Sequence, residues 1–127
     1  MKKISAICIS IFIIVTTCSP TVFASTESEN DKLYKDFVIA LISPYVMQAV
    51  KQYYGAPKQF DLYNAKILSL ERAEEESFYF KITVQIKTFE SNHKPPYGIE
   101  TVTLINTNKG IKILEFKHLE DSIPDSL

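Results

Sequence analysis

The run of residues 78–87 constrains the fold most. Phe78, Phe80, Ile82, Val84 and Ile86 alternate with Tyr79, Lys81, Thr83, Gln85 and Lys87. A two-residue period sends the two sets to opposite faces of a strand, one wholly apolar and one mostly polar. Such a strand belongs in an antiparallel sheet with one buried side. Another part of the chain must cover that side.

Turn chemistry predicts the remaining strands. Residues 61–72 carry Leu62, Tyr63, Ile67, Leu68 and Leu70 in imperfect alternation, and Glu74, Glu75 and Glu76 then make an acidic turn. Residues 99–106 and 110–118 flank Asn108-Lys109-Gly110, which reads as a hairpin turn. Residues 91–98 read as the loop before that hairpin.

The cover comes from residues 31–54. Leu33, Phe37, Leu41 and Tyr45 recur every four residues, with Tyr34, Val38 and Ile42 in the adjacent row. That spacing predicts a helix with a broad apolar stripe. Pro44 interrupts it. Ser43-Pro44 has the pattern of an N-cap followed by Pro at the first helical position, so either two helices meet near Ser43 or one helix kinks there. Val46, Ala49, Val50 and Tyr53 continue the pattern until Gly55 and Pro57 stop it.

These elements predict an α+β fold: a kinked helix, or two helices, packed on a curved four-stranded antiparallel meander. Cystatin-like and nuclear-transport-factor-like domains share that order, an analogy that brings no function with it.

The N-terminus sets the compartment. Lys2 and Lys3 precede an uncharged, mostly apolar run of about 15 residues, short of the roughly 20 that span a bilayer as a helix. Ser19-Pro20 breaks the run, and Val22-Phe23-Ala24 offers small residues where a signal peptidase reads. Residues 1–24 therefore read as a secretory signal cut after Ala24, which implies a secreted or extracytoplasmic protein. An uncleaved anchor and lipidation at Cys18 are the alternatives; Thr17 is a poor residue before a lipidated cysteine. Residues 25–30 read as a polar tether, 31–119 as one domain and 120–127 as a flexible acidic tail with Pro124.

Cleavage would remove Cys8 and Cys18, the two cysteines of the chain. The exported domain is then disulfide-free, with no thiol nucleophile and no thiolate metal site. Loss of Lys2 and Lys3 moves the formal charge from −1 to −3. That disfavours nucleic acid, which needs clustered Lys and Arg, and confines any membrane contact to the signal segment or a lipid on Cys18. Stability falls to apolar and aromatic packing among seven Tyr and eight Phe, two of which, Phe12 and Phe23, lie in the signal.

No motif names a catalytic residue, a cofactor or a metal. His93 and His118 show no metal-binding spacing. There is no nucleophile-elbow motif, and three glycines make no phosphate cradle. Candidate binding residues are His93, Lys94, Pro95, Pro96 and Tyr97, on a loop stiffened by two prolines and released by Gly98. The alternative is a plain connection with Tyr97 packed on the sheet edge. Strict alternation aims Glu90 at the concave face, whereas a strand end or bulge turns it to water; Glu115 has the same ambiguity. His118 ends the last strand, in register with Leu114 and Phe116. Tyr45, Tyr53, Tyr54 and Tyr63 gather where helix meets sheet, as cavity rim or core edge.

The segments Leu41-Ile42-Ser43-Pro44-Tyr45-Val46, Tyr53-Tyr54-Gly55, Tyr63-Asn64-Ala65-Lys66-Ile67 and residues 93–98 resemble a family of small exported bacterial proteins of spore-forming Gram-positive species, catalogued as a domain of unknown function. The resemblance implies one compact exported domain and brings no activity, cofactor or catalytic residue with it. The leading functional expectation is a secreted or surface-associated binding module for a protein or small ligand, using the concave sheet face. The alternatives are a small pocket enzyme using Glu90, His118 or a tyrosine, and a cystatin-like inhibitor. Against the last, Gln85-Ile86-Lys87-Thr88-Phe89 lacks the Val and Gly of the inhibitory Gln-x-Val-x-Gly hairpin.

Overall fold

The computed structural model describes residues 28–121. The expected signal, its cleavage site, both cysteines and the end of the tail lie outside the described residues. Helix α1 spans Glu29–Tyr54. Strands β1 (Gln59–Phe60), β2 (Lys66–Arg72), β3 (Phe80–Glu90), β4 (Lys94–Thr107) and β5 (Gly110–Asp121) follow, with 3-10 turns at Leu62–Asn64 and Ser91–His93. All the pairings are antiparallel. The fold is α+β, one N-terminal helix on one antiparallel sheet.

Helix α1 starts two residues before the expected residue 31, inside the expected tether. Ser28 is its N-cap: the Ser28 hydroxyl accepts from Asp31 N at 3.2 Å, and Ser28 N donates to Asp31 Oδ2 at 3.2 Å. This reciprocal box satisfies two of the open donors of the first turn. Gly55, with φ 71°, closes the other end in the left-handed conformation that glycine adopts without strain.

Pro44 does not divide the helix. Proline has no N–H, so the carbonyl of Ala40 loses its helical donor. The Ser43 hydroxyl donates to that carbonyl at 2.9 Å. The expected N-cap thus serves as an internal patch, and one helix runs through.

The expected four-stranded meander becomes five strands for a local reason. The first expected strand, 61–72, is broken by the turn at Leu62–Asn64 into β1 and β2, which share one edge of β3. The order across the sheet is then β1 and β2 beside β3, β4 and β5. The last strand runs on through Glu120 and Asp121, where the sequence predicts a tail; Asp121 lies opposite Tyr97 and pairs with Lys87 at 3.2 Å.

The core lies between one stripe of α1 and the inner face of β3 and β4. Ile39, Ile42, Val46, Ala49 and Val50 meet Ile82, Val84, Ile86, Val102 and Leu104. Each of the Ile, Leu and Val side chains among them contributes about 1.5–3 kcal/mol on burial. The interior is nearly filled: the void beneath Ile39, Ile42 and Val46 measures about 10 Å³, hardly room for one water. Phe78 departs from the expected alternation and is 83% exposed. Pairing with β2 begins at Phe80, opposite Arg72, so Phe78 stands beyond the ladder.

Candidate functional site

A buried acid organises the end of the sheet nearest the C-terminus of α1. Glu100 on β4 is 0% exposed. Pairing with β3 decides this. Val102 lies opposite Val84, Glu100 opposite Ile86 and Gly98 opposite Thr88, so Glu100 continues the inward row of Val102 and Leu104.

Three side chains compensate its burial. The Tyr54 hydroxyl at the end of α1 donates to Oε1 of Glu100. The Thr88 hydroxyl on β3 donates to the same oxygen at 2.8 Å. His118 Nδ1 on β5 lies 2.9 Å from Oε2 and 3.1 Å from the Tyr54 hydroxyl. A carboxylate oxygen only accepts, so Nδ1 carries the hydrogen that His118 shares with Oε2. One carboxylate thereby ties the helix to three strands, as an acid removed from water requires. Among the described residues, no buried side-chain polar atom lacks a partner.

Gly98 makes room for this cluster. A Cβ there would stand 2.7 Å from both Thr88 Oγ1 and Tyr54 Oη and closer still to Glu100. Burial and the hydrogen bond to Glu100, in that order, push the Tyr54 phenol up to about 12. Tyr53 stacks on Phe116, ring centroids 4.8 Å apart, and lies 5.1 Å from the His118 ring. The His118 side chain is 26% exposed, and its Nε2 makes no hydrogen bond among the described residues.

The residues singled out from sequence fall into two groups. His118 joins the Glu100 cluster, and Glu90 approaches it indirectly. The β3 register shifts between Thr88 and Glu90, which turns Glu90 to the surface rather than the concave face. There it pairs with Lys58 at 2.9 Å, and the Lys58 ammonium sits 4.5 Å from the Tyr54 ring centroid. Glu115 is at the surface too, paired with Lys117 at 3.1 Å.

The second group is the proline segment. Its loop is only the turn Ser91–His93; Lys94, Pro95, Pro96 and Tyr97 already belong to β4. His93 stacks on Phe89 with centroids 4.1 Å apart and lies 3.5 Å from Asp61 Oδ2. The Tyr97 hydroxyl donates to His93 O at 2.8 Å, and Lys87 covers the Tyr97 ring. His93 and Tyr97 thus make contacts within the domain, while residues 93–96 remain exposed. Of the four tyrosines placed at the helix–sheet junction, Tyr54 enters the cluster while Tyr63 stands wholly in solvent.

Glu100 and Thr88 carry no motif. The one available signal was positional: the strand at 99–106 has Val102 and Leu104 two and four residues past Glu100, so an inward Val102 forces an inward Glu100. Ile99 and Ile105 favoured the opposite face and masked it.

A separate apolar groove of about 340 Å³ opens between the N-terminal half of α1 and the far end of the sheet. Val38, Leu41, Leu70, Phe80, Ile82 and Ile111 line it. Asn106 is its polar wall residue, and its amide is committed to Phe80 N at 2.6 Å and Phe78 O at 2.8 Å.

Helix, sheet and buried cluster define a small α+β domain with no motif of a known catalytic class. The chain belongs to the DUF3888 family, described as proteins of unknown function, whose model matches residues 34–120. That match runs from the second turn of α1 almost to the end of β5. No curated protein and no solved structure matches the chain.

Proposed function

We propose that this DUF3888 protein is an extracytoplasmic binding module of spore-forming Gram-positive bacteria, and that the groove between α1 and the sheet holds an apolar group of its ligand. The groove itself is the observation that carries the reading. Its volume lies in the range of small-ligand sites, and the amide of Asn106, its polar wall residue, is already engaged with the backbone of Phe78 and Phe80. Recognition there is by shape and apolar contact, so the ligand is an acyl chain or a bulky apolar side chain.

The test is titration of the purified protein with a fluorescent fatty acid. Leu70→Asp, at an exposed wall position, removes uptake without lowering the melting temperature. A native wild-type protein that takes up no apolar probe would overturn the groove reading. Export is tested separately: intact mass from culture supernatant gives a chain beginning at Ser25, whereas a lipidated Cys18 or a retained full-length chain would replace free secretion by anchoring.

One arrangement favours a second reading, acid–base catalysis at His118. Glu100 fixes the Nδ1–H tautomer and leaves the Nε2 lone pair outward, the form a general base needs. His118→Gln then abolishes turnover in a panel of ester, peptide and phosphoester substrates. Inert wild-type protein on that panel removes this reading.

A further inference from the structure

Helix α1 has a second apolar face, and none of the described residues covers it. Leu33, Phe37, Ala40, Pro44 and Met47 lie on the side opposite the buried stripe of Ile39, Ile42, Val46 and Val50, and all five are exposed. Phe37 is 62% exposed. Between Phe37 and Met47 there is no charged residue. A helix apolar all round is normally buried all round, yet the sheet occupies only one side of this one. The five residues do not line the groove described above, so this face raises a separate question.

The spacing of these residues indicates what fits. Successive intervals are four, three, four and three residues, the alternation of a heptad seam, which accepts another helix knob into hole. The seam is about 21 Å long at 1.5 Å per residue. Its ends carry opposite charge. Glu29 lies beyond Leu33 at the N-terminal end, and Lys51 lies one turn beyond Met47. Neither makes an ion pair among the described residues.

We infer that a second copy of this chain covers the outer face of α1, with the two helices antiparallel about a two-fold axis near Ala40. That operation sets Leu33 of each copy toward Met47 of the other. It seats Phe37 beside the small surface of Ala40 and Pro44, and brings Glu29 of each copy within reach of Lys51 of the other. One patch thus complements itself in shape and in charge, as an isologous interface must. A parallel pair would instead align Glu29 with Glu29 and Lys51 with Lys51.

The test is sedimentation velocity and light scattering on the purified protein, recovered as its host processes it. The wild type is a dimer at micromolar concentration. Phe37→Glu places a charge in the seam without touching the core, so circular dichroism and melting stay native while the dimer dissociation constant rises at least about tenfold. Glu29→Lys and Lys51→Glu each weaken the dimer, and the double variant restores it. A wild type that is monomeric throughout, or a dimer indifferent to Phe37→Glu, overturns the inference. A dimer broken by Phe37→Glu but indifferent to the charge reversals overturns the antiparallel pairing. Since α1 is long and apolar enough to cross a bilayer by composition, a parallel arm uses vesicles of phosphatidylglycerol and phosphatidylethanolamine. A monomer that floats with them and is released by Phe37→Glu would make the cover a membrane surface and end the dimer proposal.

Discussion

His118 Nδ1 lies 2.9 Å from Oε2 of Glu100, a carboxylate with no exposed surface. Across the same carboxylate, Oε1 accepts from Tyr54 and Thr88. An acid so placed is held by its partners, and they are held by it.

Glu100→Ala leaves three polar side chains around a hole. Stranded donors cost about 1–3 kcal/mol each when they cannot reach water, and partial rehydration at the His118 edge relieves some of that. A net loss of about 3 kcal/mol is expected in urea unfolding, with a smaller loss for Glu100→Gln, whose amide oxygen still accepts. An unchanged midpoint for Glu100→Ala would show that the cluster adds nothing to stability.

Gly98→Ala forces a methyl group into the space shared by Tyr54, Thr88 and Glu100. These groups are locked to one another, so overpacking costs about 1–3 kcal/mol. Adding Tyr54→Phe removes one of the clashing oxygens. Thermal unfolding should show the double variant recovering part of the loss.

Tyr54 sets an alkaline limit. Its folded value is raised to about 12 from an ordinary 10 because burial and Glu100 both oppose the phenolate. The folded state therefore holds this proton more tightly than the unfolded chain does. The stabilisation is complete below pH 10 and is lost as pH climbs from 10 through about 12. Tyrosinate absorbance should report one late-titrating ring, absent in Tyr54→Phe, and the wild type should lose stability across that window more steeply than the variant.

His93→Ala with Tyr97→Ala tests the proline segment. From sequence, with the loop projecting, the melting temperature should stay nearly unchanged. The stacking on Phe89, the hydroxyl bond to His93 O and the Lys87 contact change that expectation. A loss of about 1–2 kcal/mol is expected by denaturant titration.

The sequence made some of this legible and hid the rest. The alternation from Phe80 to Ile86 is visible because a half-buried strand imposes a period of two on every residue, and it holds in the structure until the register shift after Thr88. The end of α1 at Gly55 is visible because few other residues take φ 71° without strain. The break between β1 and β2 is hidden because Leu62 and Tyr63, both exposed in the turn, look like strand residues. Continuation through Pro44 is hidden because Ser43-Pro44 serves equally as a helix start and as a patched helix interior.

Local chemistry alone therefore determined the element types, the helix end and the apolar face of the central strand. Only the tertiary structure decided that Glu100 faces inward. β4 offers two plausible faces, and the choice rests on cross-strand pairing with Ile86 and Val84, residues more than a dozen positions away. The same holds for His118 and Tyr54, which are 64 residues apart in sequence and 3.1 Å apart in space. A buried acid gathers its partners from wherever the sheet brings them, and no spacing along the chain records that.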